Sequence, residues 1–363
     1  EFLKQFRSNT KRLLESAKTI TGHAINSAEG KKLSVTEDML ILDLRTIRDR
    51  VRQVAEELGD AKQRTELLQV LREFGPLAAR HGDRPFAALC EQEAQKLAAR
   101  IDRHAWDGQW YLRAFFDDGT PLGSAQNPEC QIDSIPQSWA VLGGATDPQR
   151  ARTAMQSVLD RLVDREHRLV RLFDPPFDSA PWDPGYIKGY LPGVRENGGQ
   201  YTHAAVWTAM AFAALRQGDV AWEIFQYLNP VRHGDTPEHV RTYKLEPYVL
   251  AADLYTIKGR EGEGGWSWYT GSAAWLYRLL VKDLLGIGLE TNTLSFSPLI
   301  PAGWTGFKLT YRYRNTFYHI EFKKTGDATW NTRRVWVDGV EQPDRKIHLV
   351  DDGRKRHALV ELG

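Results

Sequence analysis

The spacing of apolar residues changes near Leu289, and this change restricts the folds open to the chain. Before it, segments such as 203–215 (HAAVWTAMAFAAL) and 271–285 are apolar and rich in Ala, which is typical of buried helices. After it, short segments with alternating patterns and many aromatic and β-branched residues predict strands. These segments are LSFSPLI, KLTYRYR, FYHIEFKK, RRVWVDG and HALVELG. The chain is therefore predicted to be mainly helical first and all-β last.

The strand-rich end indicates a β-sandwich, because consecutive short strands separated by turns are typical of that architecture. Asp338-Gly339 lies between VWV and VEQ and predicts a two-residue hairpin turn. In the middle of the chain, helices alternate with long loops that concentrate aromatic and polar residues. This alternation suits an α/α toroid with its site at the ends of the inner helices. We expect the toroid in residues 74–288 and the β-sandwich in residues 289–363.

Residues 1–73 differ from the rest of the chain and are predicted to form a separate helical segment. They contain no Trp or Tyr, and apolar residues within 40–58 alternate four and three apart behind a capping box at 34–37. A second helical run covers 65–74. The segment forms either a hairpin packed on the main domain or a coil that binds a helical partner within or between chains. Fewer than four heptads are present, which favours the hairpin.

Composition excludes several classes of protein. With 48 Lys and Arg against 47 Asp and Glu, the net charge is +1, whereas a nucleic-acid binder needs a basic excess on one face. No apolar run approaches the ~20 residues of a membrane span. Two cysteines make no disulfide framework and favour a reducing compartment. HExxH, CxxC, EF-hand and GxxxxGK[ST] motifs are absent, which predicts no metal, no cofactor and no P-loop nucleotide site.

The aromatic content leaves two interpretations open. The chain has 12 Trp, 13 Tyr and 14 Phe, and every Trp lies beyond residue 100. Such rings either fill a large core or line a pocket in which they stack on the CH faces of sugars. Trp207, Trp266 and Trp268 fall inside the motifs described next, which favours sugar stacking for these three.

The segment 183–207 (DPGYIKGYLPGVRENGGQYTHAAVW) is the densest in chemically useful residues. It combines five glycines with ionisable and aromatic side chains, including Tyr190, Glu196 and Gln200. Glycine loses the most entropy on folding, so this density suits backbone that must approach a ligand closely. His203 begins a predicted helix, where free N–H groups and the helix dipole favour an anion. We predict a ligand role for His203, with a structural role as the alternative.

A second cluster lies in 264–277 (GGWSWYTGSAAWLY). Thr270 and Gly271 open a predicted buried helix, and a hydroxyl with consecutive free N–H groups can bind an anion. The alternative is an N-capped core helix. Trp266 and Trp268, just before this turn, are placed to line a sugar subsite.

Two shorter motifs complete the candidates. In ECQIDSIPQSW, Asp133 and Gln137 are candidates for hydrogen bonds to sugar hydroxyls. In KLEPY, Lys244 and Glu246 are two residues apart on an extended segment and point the same way. They form either an ion pair or a ligand contact. No GxSxG motif occurs, which gives a Ser–His–Asp hydrolase little support.

These motifs, in this order, resemble glycoside hydrolase family 94, the inverting β-glucoside phosphorylases, and in particular its cyclic β-1,2-glucan synthase members. The resemblance covers Phe74 to Gly363 and includes AWDGQWYLRAFFDDGTPLGS, YKLEPYVLAADLY and DDGRKRHALVELG. It implies part of an (α/α)6 barrel followed by a β-sandwich. It also implies phosphorolysis, in which inorganic phosphate attacks the anomeric carbon of a β-glucoside while a carboxylic acid protonates the leaving oxygen.

The resemblance also implies roles for individual residues. The residues that match the family's phosphate ligands are His203, Thr270 and Gly271. Those that match contacts to the sugar on the leaving-group side are Tyr190 and Glu196, and the motifs above add Gln200, Asp133 and Trp268. The implied partners are a β-glucan oligosaccharide and phosphate. The implied location is the cytoplasm, at the inner face of a bacterial inner membrane within a larger protein.

Two departures from the family pattern limit what the resemblance implies. The family's general acid lies in an Asp-Trp-Asn-Asp motif upstream of the matched region, and this chain has no such motif; its Asp107 is a different, non-catalytic position. The disaccharide phosphorylases carry a Gln soon after EPYV, where this chain has EPYVLAAD. The expected function is phosphorolysis of β-glucan chains to glucose 1-phosphate for chain-length control, with the acid unidentified. The alternative is a non-catalytic glucan-binding module that has lost the acid.

Overall fold

The computed structural model describes residues 61–144, 147–180, 182–268, 270–301, 303–325 and 331–363. The predicted helix at 40–58 and its capping box lie outside the described residues. Residues 59–363 belong to one compact unit. Within the described ranges, helices extend as far as Leu284 and strands longer than two residues begin at Ile287. The predicted change from helix to sheet is therefore confirmed.

Helices dominate the described chain up to Leu284. The α-helices are α1 (Ala61–Arg80), α2 (Arg84–His104), α3 (Ser134–Leu142), α4 (Pro148–Arg161), α5 (Thr202–Ala214), α6 (Gly218–Leu228), α7 (Pro237–Tyr243) and α8 (Ser272–Arg278). α8 continues as a π-helix over Leu279–Leu284, and a 3₁₀-helix covers Gly185–Gly189. Side chains satisfy the free N–H groups at several helix starts, such as Asp83, which accepts from the N–H of Phe86.

α5 is a deeply buried helix, and the predicted site lies at its first turn. Every side chain of α5 is buried except those of His203 and Ala214. Its many alanines allow α3, α6 and α8 to contact it from different sides. The hydroxyls of Ser138 and Thr208, 3.2 Å apart, add a polar link between α3 and α5. His203 is therefore the partly exposed side chain of the first turn of α5.

Two-residue strands tie the long loops between helices to one another. They pair as β1 with β2 (Ala114–Phe115, Pro121–Leu122), β3 with β6 (Ile132–Asp133, Phe173–Asp174), β4 with β5 (Val163–Asp164, Leu169–Val170) and β7 with β8 (Gln200–Tyr201, Asp253–Leu254). The last pair joins the start of α5 to a segment far along the chain. The mixture of helices and paired loops agrees with the predicted class, and the (α/α)6 arrangement stays a prediction.

The C-terminal strands form two sheets. The three-stranded sheet has the order β15 (Ile347–His348), β10 (Thr293–Phe296), β9 (Ile287–Glu290). The five-stranded sheet has the order β11 (Gly306–Tyr313), β12 (Thr316–Lys324), β16 (Lys355–Leu362), β13 (Thr332–Val337), β14 (Val340–Glu341). Its strands β12 and β16 are parallel, and its other pairs are antiparallel.

One apolar core lies between the two sheets, as a β-sandwich requires. Leu294 of one sheet and Phe322 and Val360 of the other belong to it. Asp338 and Gly339 join β13 to β14 with φ values of 49° and 83°, which confirms the predicted two-residue turn. An open groove of about 680 Å³ lies over the five-stranded sheet, and none of the predicted site residues lines it.

The sandwich core provides a first testable prediction. Phe322 is 1% exposed, and its ring centroid lies 5.2 Å from that of Phe296 and 4.1 Å from that of Phe307. Phe322→Ala should lower the free energy of unfolding by about 3–5 kcal/mol because it leaves a cavity. Phe317→Ala, on the same strand but 38% exposed, should cost less than about 1 kcal/mol. Urea denaturation of both variants measures this, and similar losses would contradict the assignment of the core.

Candidate functional site

Three segments that are distant in sequence meet beside the start of α5. β7 and β8 are antiparallel, with Tyr201 directly opposite Asp253. The N–H of Thr202 donates to the carbonyl of Ala252 at 2.9 Å, and the N–H of Ala252 donates to the carbonyl of Trp266 at 2.7 Å. Backbone hydrogen bonds therefore hold the first turn of α5 against both other segments.

The residues predicted to bind phosphate come together at this junction. A Cβ on Gly271 would lie 3.5 Å from Nε2 of His203, so the backbone of Gly271 faces the imidazole. The hydroxyl of Thr270 accepts from the N–H of Ser272 at 3.2 Å and lies 2.7 Å from its hydroxyl, which orders the turn before α8. The ring of Tyr201 stacks on that of His203, with centroids 5.6 Å apart. An imidazole beside a hydroxyl and helix-start N–H groups is chemically suited to an anion.

Arg195 lies between two of the aromatic rings predicted to contact sugar. Its guanidinium carbon is 5.5 Å from the ring centroid of Tyr190 and 5.7 Å from that of Trp266. Its Nε is 3.8 Å from Oε2 of Glu196. Both of these atoms are buried and have no hydrogen-bond partner. Buried polar atoms without a hydrogen-bond partner are uncommon in proteins, so Arg195 and Glu196 form an unusual polar cluster beside the aromatic rings.

Asp253 is a second acid in this cluster and is 1% exposed. Its Oδ1 accepts from the N–H of Trp266 at 3.0 Å, while its Oδ2 has no hydrogen-bond partner. Burial raises the pKa of Asp253 above its usual value, and the charge of Glu196 adds to the rise against the lowering effects of Trp266 and Arg195. Burial also raises the pKa of Tyr201, with Glu196 as the second cause. These groups therefore share one poorly hydrated environment.

Gln200 and Asp133 take part in buried hydrogen bonds of the fold. Oε1 of Gln200 accepts from the N–H of Val170 at 2.8 Å. Oδ1 of Asp133 accepts from the N–H of Ile135 at 2.7 Å at the start of α3, and its Oδ2 lies 3.5 Å from Nη1 of Arg113. These contacts give both side chains a structural role. Their contact with sugar stays a prediction.

The three tryptophans predicted to stack on sugars differ in exposure. Trp268 is 75% exposed and Trp266 is 49% exposed. Trp207 is buried, and its ring meets those of Trp139 and Trp275 edge-on at centroid distances of 5.4 and 5.7 Å. The prediction was wrong for Trp207, because α5 packs it into the helical core, whereas Trp266 and Trp268 precede α8 in an exposed loop.

Lys244 and Glu246 pair with other side chains and not with each other, so the ion-pair alternative was wrong and the ligand contact stays a prediction. Nζ of Lys244 lies 2.9 Å from Oε2 of Glu263. Oε1 of Glu246 accepts from the hydroxyl of Ser267 at 3.2 Å and from Nε1 of Trp268 at 3.3 Å. Glu246 therefore orients the exposed ring of Trp268.

The described part of the chain holds neither a metal centre nor a membrane span. There, no group of three or more His, Cys, Asp or Glu side chains is placed to hold a metal ion. Likewise, none of the helices in those ranges is both long and apolar enough to cross a membrane. Cys90 and Cys130 are buried free thiols, and burial raises the pKa of each.

Asp253 was not predicted from the sequence. The available signal was an acid within the otherwise apolar run YVLAADLY, where burial of a carboxylate is costly. The place of Asp253 beside the site depends on the register of β8 against β7, which pairs Asp253 with Tyr201. That register is a tertiary feature and has no marker in either two-residue strand.

Comparison with known proteins identifies the class to which this fold and site belong. The family model described as "Glycosyl hydrolase 94 superfamily, catalytic domain" matches residues 63–286. The chain therefore belongs to glycosyl hydrolase family 94, as its motifs predicted.

Particular relatives include a glucan synthase and several phosphorylases. "Cyclic beta-(1,2)-glucan synthase NdvB" of Rhizobium meliloti is 47% identical over 258 residues, which are 71% of this chain and 9% of that protein. "N,N'-diacetylchitobiose phosphorylase" of Vibrio furnissii is 30% identical over 285 residues, 76% of this chain and 34% of that protein. The chain thus spans only a small part of the first relative and about a third of the second.

Solved structures give a weaker comparison. A GH78 family rhamnosidase of Bacillus sp. GL1 aligns with 84% of this chain and 27% of its own, with a TM-score of 0.47 and 12% identity. This similarity is too low to establish a shared fold.

Asn197 provides a second testable prediction, because it holds the turn that carries Arg195 and Glu196. Its buried side chain accepts from the N–H of Phe177 at 2.7 Å and donates to the carbonyls of Phe177 and Tyr190, both at 2.8 Å. Asn197→Ala leaves these groups unsatisfied and should lower the free energy of unfolding by about 3 kcal/mol, as urea denaturation can measure.

A matched control is Asn229→Ala. The side chain of Asn229 accepts from the N–H of Val231 at 3.1 Å in an exposed turn, so its loss should cost less than about 1 kcal/mol. Equal costs for the two variants would show that Asn197 does not hold the site turn.

Proposed function

We propose that this chain is the phosphorolytic part of an inverting glycoside phosphorylase that shortens β-glucan chains to glucose 1-phosphate and so controls their length. Membership of family 94 and similarity to several phosphorylases support a glycoside phosphorylase-type enzyme. Similarity to a cyclic β-(1,2)-glucan synthase supports a β-1,2-glucan as the substrate. The proposed setting is the cytoplasm, within a longer protein.

The observation that carries this proposal is the approach of Gly271 to His203. Two segments nearly seventy positions apart supply an imidazole, the Thr270 hydroxyl and helix-start N–H groups to one place. Phosphate is already an anionic nucleophile, so it needs a binding site rather than the second carboxylate that activates water in an inverting hydrolase. Phosphorolysis therefore requires an anion site in this chain, and it does not require a second catalytic carboxylate.

The sugar is proposed to bind beside this anion site, against Tyr190, Glu196 and Trp266. Arg195 holds the two rings at similar distances from its guanidinium. Trp268 is more exposed than Trp266 and donates its Nε1–H to Glu246, and a second exposed ring suits a ligand of several sugar units. A glucan chain has that property, whereas a disaccharide is too short to need it.

In the proposed reaction, a phosphate oxygen forms a bond to the anomeric carbon and the glycosidic carbon–oxygen bond breaks. The leaving oxygen must take up a proton, because a sugar alkoxide is a poor leaving group. The acid motif of the family is absent from this sequence. The residues assigned above therefore bind phosphate and sugar, and they leave the proton donor unassigned.

The direct test is release of glucose 1-phosphate from linear β-1,2-glucan and inorganic phosphate by the full 363-residue chain. His203→Ala should raise the KM for phosphate about tenfold, the equivalent of one lost charge-assisted hydrogen bond, and leave the KM for glucan nearly unchanged. Initial rates over a matrix of both substrates separate the two constants. Equal increases in both constants would remove His203 from the phosphate site.

A non-catalytic glucan-binding module is the second candidate, and the missing acid motif favours it. It predicts glucan binding without release of glucose 1-phosphate. The same preparation can be examined by calorimetry with glucan and by the phosphorolysis assay. Binding without product selects this candidate, and product formation excludes it.

A further inference from the structure

The outer face of the five-stranded sheet carries the open groove of about 680 Å³ described above. Successive side chains of a strand point to opposite faces, so Phe322, Val335 and Val360 point into the sandwich core and their neighbours point outward. The volume lies within the range of about 300–1,000 Å³ that is usual for ligand sites. Outward side chains that line the groove include Thr310, His319, Glu321, Trp336, His357 and Leu359.

Trp336 and Leu359 place apolar surface on a sheet face that is normally polar. They lie directly opposite each other on β13 and β16 and are both partly exposed. The sandwich core lies on the other face of the sheet, so neither side chain is explained by core packing. An indole ring beside an aliphatic side chain gives the groove a floor that can stack on the CH face of a sugar.

Hydrogen-bonding side chains adjoin this floor. The strand register places Thr310, His319 and His357 side by side on β11, β12 and β16. The hydroxyl of Thr310 lies 3.1 Å from Nδ1 of His319, and the two imidazole rings stack with their centroids 5.4 Å apart. His357 precedes Leu359 by two residues and so shares its face of β16. A hydroxyl and two imidazoles can both donate and accept hydrogen bonds, as the hydroxyl groups of a sugar require.

The positive charges at the groove have carboxylates beside them. Nζ of Lys308 lies 3.3 Å from Oε1 of Glu321, and Oε2 of the same carboxylate lies 3.5 Å from Nζ of Lys323. Arg334, whose guanidinium carbon is 5.8 Å from the ring centroid of Trp336, has its Nε 3.8 Å from Oε2 of Glu361. This pairing suits an uncharged polar ligand better than an anion.

We propose that this groove is a second glucan-binding site, in which Trp336 stacks on a sugar unit while His319 and His357 bond to its hydroxyl groups. The inference rests on the proposed function for the identity of the polymer. Because the groove is open, it can take an internal stretch of a chain that continues past it. Two sites on one polypeptide raise the effective concentration of a long glucan at each, which is an advantage that a disaccharide is too short to gain.

The direct test is hydroxyl-radical footprinting of the full chain, with mass spectrometry of the oxidised side chains. Linear β-1,2-glucan should remove most of the oxidation of Trp336. Phe317 is the internal control, because it points outward from β12 and is 38% exposed but does not line the groove. Its oxidation should not change. Trp336 left unprotected by glucan, or protected equally by inorganic phosphate at the same ionic strength, overturns the proposal.

Variants of the groove test the same site by affinity. In calorimetric titrations with linear β-1,2-glucan, without phosphate, Trp336→Ala should weaken the Kd about tenfold, because it removes the stacking ring and the contribution of the second site. His319→Ala should weaken it about fivefold and serves as the second variant if Trp336→Ala does not fold.

Phe317→Ala is the matched control for both variants, and its Kd should equal that of the wild type. Melting temperatures show which variants are folded. If folded Trp336→Ala and His319→Ala bind glucan as tightly as Phe317→Ala does, the second site is excluded.

The outcomes separate this inference from the proposed function. Protection of Trp336 by glucan without release of glucose 1-phosphate overturns phosphorolysis alone. Release of glucose 1-phosphate without protection of Trp336 overturns the second site alone.

Discussion

The pairing of β7 with β8 is the interaction on which the rest of the site depends. Each backbone hydrogen bond contributes only about 1 kcal/mol. Together they place Tyr201 opposite Asp253 and join the start of α5 to the loop that carries Trp266. A slip of one residue would turn Asp253 to the opposite face of the ladder and take its carboxylate away from the N–H of Trp266. A short pairing therefore fixes the relative positions of the anion side and the sugar side.

Two glycines allow close packing within the protein at this junction. The glycine-rich sequence predicted backbone that approaches a ligand. At Gly198, φ is +81° and a Cβ would lie 2.8 Å from Cβ of Pro176; at Gly265, the atom met is the carboxylate of Asp253. Both contacts lie within the protein. Gly198 and Gly265 therefore let segments of the chain pack closely around the polar cluster, and the approach of glycine backbone to a ligand stays a prediction.

The parts of the fold that the sequence predicted are those encoded locally. Continuous apolar, Ala-rich sequence located α5, and alternating apolar residues located the C-terminal strands. Asp338-Gly339 specified its turn because few dipeptides adopt two positive φ values. The approach of Gly271 to His203 brings together two residues that the family motifs imply as phosphate ligands, and that role stays a prediction. Gln200 was predicted to contact sugar because it is a polar residue in a motif rich in glycine. Its side chain accepts a hydrogen bond from the N–H of Val170, which lies on another strand. Contacts of that kind depend on tertiary register, which no single segment specifies.

The charges of the site also separate its two proposed ligands. Tyr201 lies between the anion side and the sugar side, because it stands opposite Asp253 in the ladder and its ring stacks on that of His203. When both are ionised, Glu196 and Asp253 exceed the single charge of Arg195 by one. At an effective dielectric constant of about 20, one unit charge acts on a monoanion about 10 Å away with roughly 1.7 kcal/mol. This repulsion would keep phosphate away from the hydroxyl-binding side and favour its binding beside the imidazole.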